Sequence, residues 1–184
     1  MVAGHEGDEA TARPLLADEV PSVRASSLAA LARIGVATDE DLVAALADPS
    51  PAVRRRALAL AIGHPAVPLT PSLEDPDAGV VEQAAWASGE REPPEPGAVA
   101  ALCSVATEHE DPLCREAAVA ALGAVGQPDG LTAILAATKD RATVRRRAVI
   151  ALAPFDGPAV EAALRDALED RDWQVRQAAE DQLA

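Results

Sequence analysis

Six stretches of this chain repeat one pattern at a nearly constant spacing. They read "VRASSLAALARIG" from Val23, "VRRRALALAIG" from Val53, "VVEQAAWASG" from Val80, "CREAAVAALGAVG" from Cys114, "VRRRAVIALAPF" from Val144 and "VRQAAEDQLA" from Val175, so the anchors follow one another at 30, 27, 34, 30 and 31 residues. A period in this range marks stacked supersecondary units in which each unit buries its apolar face only against its neighbours.

Within each stretch, small or apolar residues recur at the anchor and four, five and eight positions later, as in Cys114, Ala118, Val119 and Leu122. That spacing lines one face of an α-helix. Ahead of it lies a second helical pattern: "DEDLVAALAD" (39–48), "GAVAALCSVATEHE" (97–110), "DGLTAILAATKD" (129–140) and "GPAVEAALRDALED" (157–170). Each unit is therefore predicted to be a helix–turn–helix. Thr38 with Asp41 forms a capping-box pattern, Pro158 suits a first helical turn, and Gly35, Gly63 and Gly126 follow second helices where a left-handed cap is expected. The third unit departs from the rule, because Pro68 and Pro71 in "HPAVPLTPSLEDPD" leave little room for a normal first helix.

The composition suits such packing. Hydrophobic residues make up 49% of the 184, mostly as Ala, Val and Leu, with one Phe, two Trp and no Tyr. Small side chains favour close-packed helices over sheet, which draws on β-branched and aromatic cross-strand pairs. Lys and Arg number 16 against 30 Asp and Glu, a net charge of −14. It is spread evenly, −8 over residues 1–92 and −6 over 93–184. An acidic chain argues against nucleic acid and anionic membrane as partners, since both reward positive surface. The opening "MVAGHEGDEATARPLLADE" has no apolar run of signal-peptide length and no later window approaches a membrane span, so a cytoplasmic protein is expected. Cys103 and Cys114 stand at apolar positions without a CxxC or Cys/His cluster and are expected as buried free thiols, with no metal and no cofactor. His5, His64 and His109 are scattered and expected in solvent.

The shared signature, D-x-x-x-x-V-R-x-x-A-x-x-A-L-G, resembles HEAT repeats, in particular the short bacterial HEAT-like repeats of phycobilin lyase subunits; "DRDWQVRQAAEDQLA" at 170–184 is among the nearest matches. The resemblance implies an all-α solenoid of about six helix-turn-helix repeats, a right-handed superhelix with the second helices on the concave face. It would form a single domain over 1–184, with approximate repeats at 8–35, 36–63, 64–89, 97–126, 127–155 and 156–184 and an irregular Pro-rich loop at 88–97. Function does not follow, because such folds host scaffolds, lyase subunits, hydroxylases and DNA-repair proteins alike.

The arginines divide by angle. At about 100° per residue, the position after each anchor lies at the core edge, while the second and sixth positions after it point outward. Arg24, Arg54, Arg115, Arg145 and Arg176 occupy the edge position, and a charge there needs a partner. Asp18, Asp48, Asp75, Asp140 and Asp170, four or five residues ahead of the anchors, supply carboxylates for a ladder joining neighbouring repeats. In the third repeat Val81 replaces the arginine, so Asp75 is expected to need another donor.

On the outward face stand Arg55, Arg56, Glu82, Glu116, Arg146 and Arg147, with Trp86 and Ile150 at the sixth position. They form either a solvated surface of compensating charges or a face that grips a partner, since arginine forks recognise carboxylates. Trp86 among alanines is a binding anchor or is covered by the 88–97 loop. Trp173, ahead of its helix, is expected to pack.

No phosphate loop, nucleophile–His pair or His/Glu motif on facing helices is present, and the places where HEAT-like hydroxylases carry His-Glu pairs hold Arg55-Arg56, Glu82-Gln83, Glu116-Ala117 and Arg146-Arg147. The expectation is a non-enzymatic scaffold or adaptor that binds another protein or peptide through its concave face. The alternative is a lyase-like or chaperone-like subunit handling a small molecule or chromophore. A DNA-binding HEAT-like glycosylase is disfavoured by the acidity.

Overall fold

A computed structural model describes residues 8–184. Its contacts gather into two compact units, one ending at Ala87 and the other beginning at Ser88. His5 lies outside the described residues.

The first unit holds α1 (Glu9–Ala12), a 3-10 turn (Arg13–Ala17), α2 (Pro21–Arg33), α3 (Asp39–Leu46), α4 (Pro51–Ala61), a second 3-10 turn (Thr70–Glu74) and most of α5 (Ala78–Glu90). In the second unit α6 (Ala98–Glu108), α7 (Pro112–Val125), a 3-10 turn (Pro128–Gly130), α8 (Leu131–Ala137), α9 (Ala142–Ala151), α10 (Pro158–Leu168) and α11 (Trp173–Leu183) follow. Among the described residues there is no strand.

The helical periodicity is realised as burial. Val53, Val80, Cys114, Val144 and Val175 are all 2% exposed or less, and the residues four and five places after the anchor, such as Ala57 with Leu58 and Ala148 with Val149, are fully covered. Second helices pack on second helices, α2 on α4, α7 on α9 and α9 on α11, while α3, α6 and α10 pack on α4, α7 and α11. The alanines let these helices come close. A methyl added at Gly123 of α7 would lie 2.7 Å from Ala151 Cα of α9, so even alanine does not fit there. In the third repeat the two prolines reduce the first helix to the Thr70–Glu74 turn, and Val67, Leu69 and Leu73 fill its place in the core.

Caps follow the chemistry of the ends. Thr38 and Asp41 exchange both capping-box hydrogen bonds. Gly35 and Gly126 adopt φ of 75° and 64° after their helices, as a left-handed cap requires. Gly63 does not: it lacks a positive φ, because the chain leaves α4 through a turn in which His64 N–H donates to Ala61 O.

Within each unit, edge arginines tie one repeat to the next. Arg24 donates from Nε and Nη2 to both carboxylate oxygens of Asp48 at 2.7 Å. Arg54 does the same to Asp75 at 2.7 Å, Arg115 to Asp140 at 2.6 and 2.8 Å, and Arg145 to Asp170 at 2.8 and 2.7 Å. The third nitrogen, Nη1, reaches a carbonyl of the arginine's own preceding turn: Asp18, Asp48, His109 and Asp140 respectively. Asp75 therefore needs no unusual donor. The guanidinium reaches forward, so Asp75 is served by Arg54, and the replacement of arginine by Val81 removes a donor from the following turn. There His109 stands where the aspartate would be, and its Nδ1 accepts the N–H of Asp111.

Candidate partner-binding faces

In the first unit the outward arginines of α4, Arg55 and Arg56, are exposed and make no ion pair or hydrogen bond among the described residues. The Arg55 head rests over the first turn of α5, where a methyl added at Gly79 would lie 3.1 Å from its Nη1 and 3.2 Å from Asp77 Oδ1. On α5, Glu82 is exposed and Trp86 is 47% exposed, so the indole is not sealed off.

In the second unit the outward charges separate into two kinds. Glu116 of α7 and Arg147 of α9 lie 3.5 Å apart and compensate each other. Arg146 is exposed, makes no ion pair among the described residues, and lines a groove with Ile150, Trp173, Gln174, Gln177, Ala178, Asp181 and Gln182. This groove, of about 440 Å³, has Ile150 and Ala178 as its apolar parts, Arg146 on the α9 side and polar amides on the α11 side. Gln177 Nε2 donates to Asp181 at 2.9 Å, which fixes that amide.

Trp173 corrects an expectation. It is 64% exposed and does not pack into the core. It begins α11, after Asp172 accepts the Gln174 N–H as the helix cap, and a first-turn side chain there projects beyond the core stripe. Of its neighbours in the groove, Gln177 and Asp181 stand at the second and sixth outward positions after Val175, whereas Gln174 and Gln182 lie off them. The available signal was an aromatic at a helix start where other repeats carry Pro21, Pro51 and Pro112.

Two further expectations change. Cys114 is buried, but Cys103 is only partly covered, its thiol 3.8 Å from Asp129 O and pushed up by burial and by the Asp129 charge. His64 is not simply solvated: its Nδ1 lies 2.6 Å from Asp39 across the 25 residues that separate them. Among the described residues there is no group of three metal-ligating side chains. No helix among them is long and apolar enough to cross a membrane.

The ladder sets the electrostatics beneath these faces. The Arg24, Arg115 and Arg145 forks hold Asp48, Asp140 and Asp170 below the ordinary carboxylate range, against the opposing effect of burial. At Asp75 burial pushes the carboxyl up, but the Arg54 fork and the Asp77 N–H outweigh it and the net shift is also downward.

A family model of HEAT repeats matches residues 66–153. Among solved structures, the E. coli protein YibA is similar over 98% of this chain and 72% of its own, with 19% identity and a TM-score of 0.71. A designed armadillo repeat protein in complex with a (KR)4 peptide is similar over 97% and 92%, with 18% identity and a TM-score of 0.64. An engineered protein is similar over 96% and 97%, with 18% identity and a TM-score of 0.69. Among curated proteins none matches the chain. These likenesses define the class: an all-α protein of helical repeats, similar in fold to HEAT and armadillo repeat proteins.

Proposed function

We propose that this chain is a non-enzymatic scaffold that holds a segment of another protein against the outward faces of its second helices. The observation that carries this reading is the groove at Arg146, Ile150 and Trp173. It joins a largely exposed indole, an aliphatic floor and an arginine that makes no ion pair among the described residues, with Asp181 also in the lining. Exposed aromatics and arginines are the residues that supply most binding energy at interfaces, and a free guanidinium fork selects a carboxylate. The segment that fits is extended, with an apolar residue beside an acidic one. Arg55, Arg56, Glu82 and Trp86 form a second patch of the same make-up in the first unit, while Glu116 and Arg147 satisfy each other and act as its polar surroundings in the second. Peptide capture by the designed armadillo protein supports the use of such a fold for this purpose.

The test is capture from a lysate of the source organism on wild type and on Arg146→Ala/Trp173→Ala and Arg55→Ala/Arg56→Ala variants, each shown folded by circular dichroism. Captured proteins are identified by mass spectrometry, and binding is then repeated with the purified partner. One protein held by wild type and lost from the first variant supports the reading. A partner that binds all three equally, or a bound small molecule co-purifying with wild type in place of a protein, overturns it.

A further inference from the structure

The groove between α9 and α11 holds two opposite charges that do not meet. Arg146 and Asp181 both line it, both are exposed, and neither makes an ion pair among the described residues. Asp181 Oδ1 accepts the Gln177 amide at 2.9 Å, which holds the carboxylate in place, and its other oxygen takes no hydrogen bond among the described residues. The lining falls at three levels along the helices. Trp173 stands two places before the anchor Val175, Arg146 and Gln177 stand two places after Val144 and Val175, and Ile150 and Asp181 stand six places after them. Successive levels are four residues apart, a rise of about 6 Å. Alternate residues of an extended strand lie about 6.6 Å apart and point to one face. An extended segment lying lengthwise in the groove therefore offers one side chain to each level.

We infer that the groove reads a dipolar segment of a partner protein, in which an apolar, an acidic and a basic residue occupy alternate positions with the acidic one in the middle. This deepens the scaffold reading and rests on it. The apolar side chain lies on the Trp173 indole, the carboxylate takes the Arg146 fork, and the cation meets Asp181 with its aliphatic stem along Ile150. Charge complementarity names this occupant. A segment that is acidic alone satisfies Arg146 but brings its carboxylate within one level of Asp181, and a chain of net charge −14 repels it at long range. The basic residue removes both objections. Exposed ion pairs add little affinity, so contact with Trp173 and Ile150 holds the segment while the two charges fix its register.

Selection of a displayed library of random short peptides on the immobilised 184-residue protein tests this. Wild type is expected to enrich the pattern apolar-x-acidic-x-basic, read in one chain direction. Asp181→Lys should turn the basic position acidic, and Arg146→Glu should turn the acidic position basic. Both residues are exposed, so both variants should keep the fold, which circular dichroism checks. The wild-type consensus peptide, followed by fluorescence polarisation, should bind Asp181→Lys about fivefold more weakly, the upper end of what an exposed pair contributes. Enriched peptides with apolar and acidic residues but no basic one overturn the inference and leave the scaffold reading standing. So does a basic preference that Asp181→Lys does not change. A library that enriches nothing also overturns the inference, and the lysate capture then decides the scaffold reading by itself.

Discussion

Arg145 holds Asp170 with two parallel hydrogen bonds of 2.8 and 2.7 Å while its third nitrogen reaches Asp140 O at 2.8 Å. One side chain therefore ties the turn before α9 to the turn before α11, and it is only 8% exposed. Truncating it leaves a half-buried carboxylate and a carbonyl without their donors. Arg145→Ala should cost about 3 kcal/mol of unfolding free energy, the lower end of what breaking a buried pair costs. Arg145→Lys should recover only part of that loss because an ammonium cannot form the fork. Urea denaturation followed by circular dichroism measures both.

Acid should weaken the fold through the same rungs. Asp48, Asp75, Asp140 and Asp170 are all held below the ordinary aspartate value in the folded state. The unfolded chain then takes up protons that the folded chain does not, so the ladder's contribution is complete above about pH 4 and is lost as the pH falls through the folded values. The thermal midpoint should stay level from neutrality down to that point and then drop. Asp170→Asn, with one such carboxyl fewer, should start lower and drop less steeply.

The approach of α7 to α9 leaves no room at Gly123. Gly123→Val should destabilise by about 1–3 kcal/mol through overpacking, even though valine has the higher helix propensity of the two. The comparison that isolates the effect is Gly63→Val, where no atom lies within 4 Å of an added methyl. Chemical denaturation of the two variants should separate them clearly.

Trp173 and Trp86 should be nearly silent in stability. With 64% and 47% of their surfaces exposed, replacement of either by alanine should change the unfolding free energy by no more than about 0.5 kcal/mol. Their fluorescence should be red-shifted and readily quenched by acrylamide in the folded protein. A blue-shifted, protected emission from the Trp86→Phe variant would place Trp173 in the interior instead.

What could be read from the residues alone was the part governed by local period. The anchors and the positions four and five beyond them announced the buried stripe, the Thr38–Asp41 pattern announced its cap, and Pro68 and Pro71 announced the missing helix. Contacts between distant turns were harder. That Arg54 serves Asp75 depends on a guanidinium reaching forward into the next repeat, and periodicity places both residues without saying which way the fork points. The His64–Asp39 contact joins residues 25 apart that share no motif. The groove was half legible: Arg146 and Ile150 lie on a face that helical angles identify, but Trp173 belongs to a helix start, where side-chain direction depends on the entering chain.

Because each rung is written half in one repeat and half in the next, the array carries a rule about how it can grow. Excising residues 114–143 would bring Val144 and Arg145 behind the turn at His109, and Arg145 would still find Asp170. A gene that gains or loses one such block keeps the remaining rungs paired. The place where the series is interrupted obeys the same rule, since Val81 and His109 remove the donor and the acceptor together. Length in this chain can therefore drift by whole helix pairs, and selection on charge pairing would be felt only by insertions and deletions that break the phase.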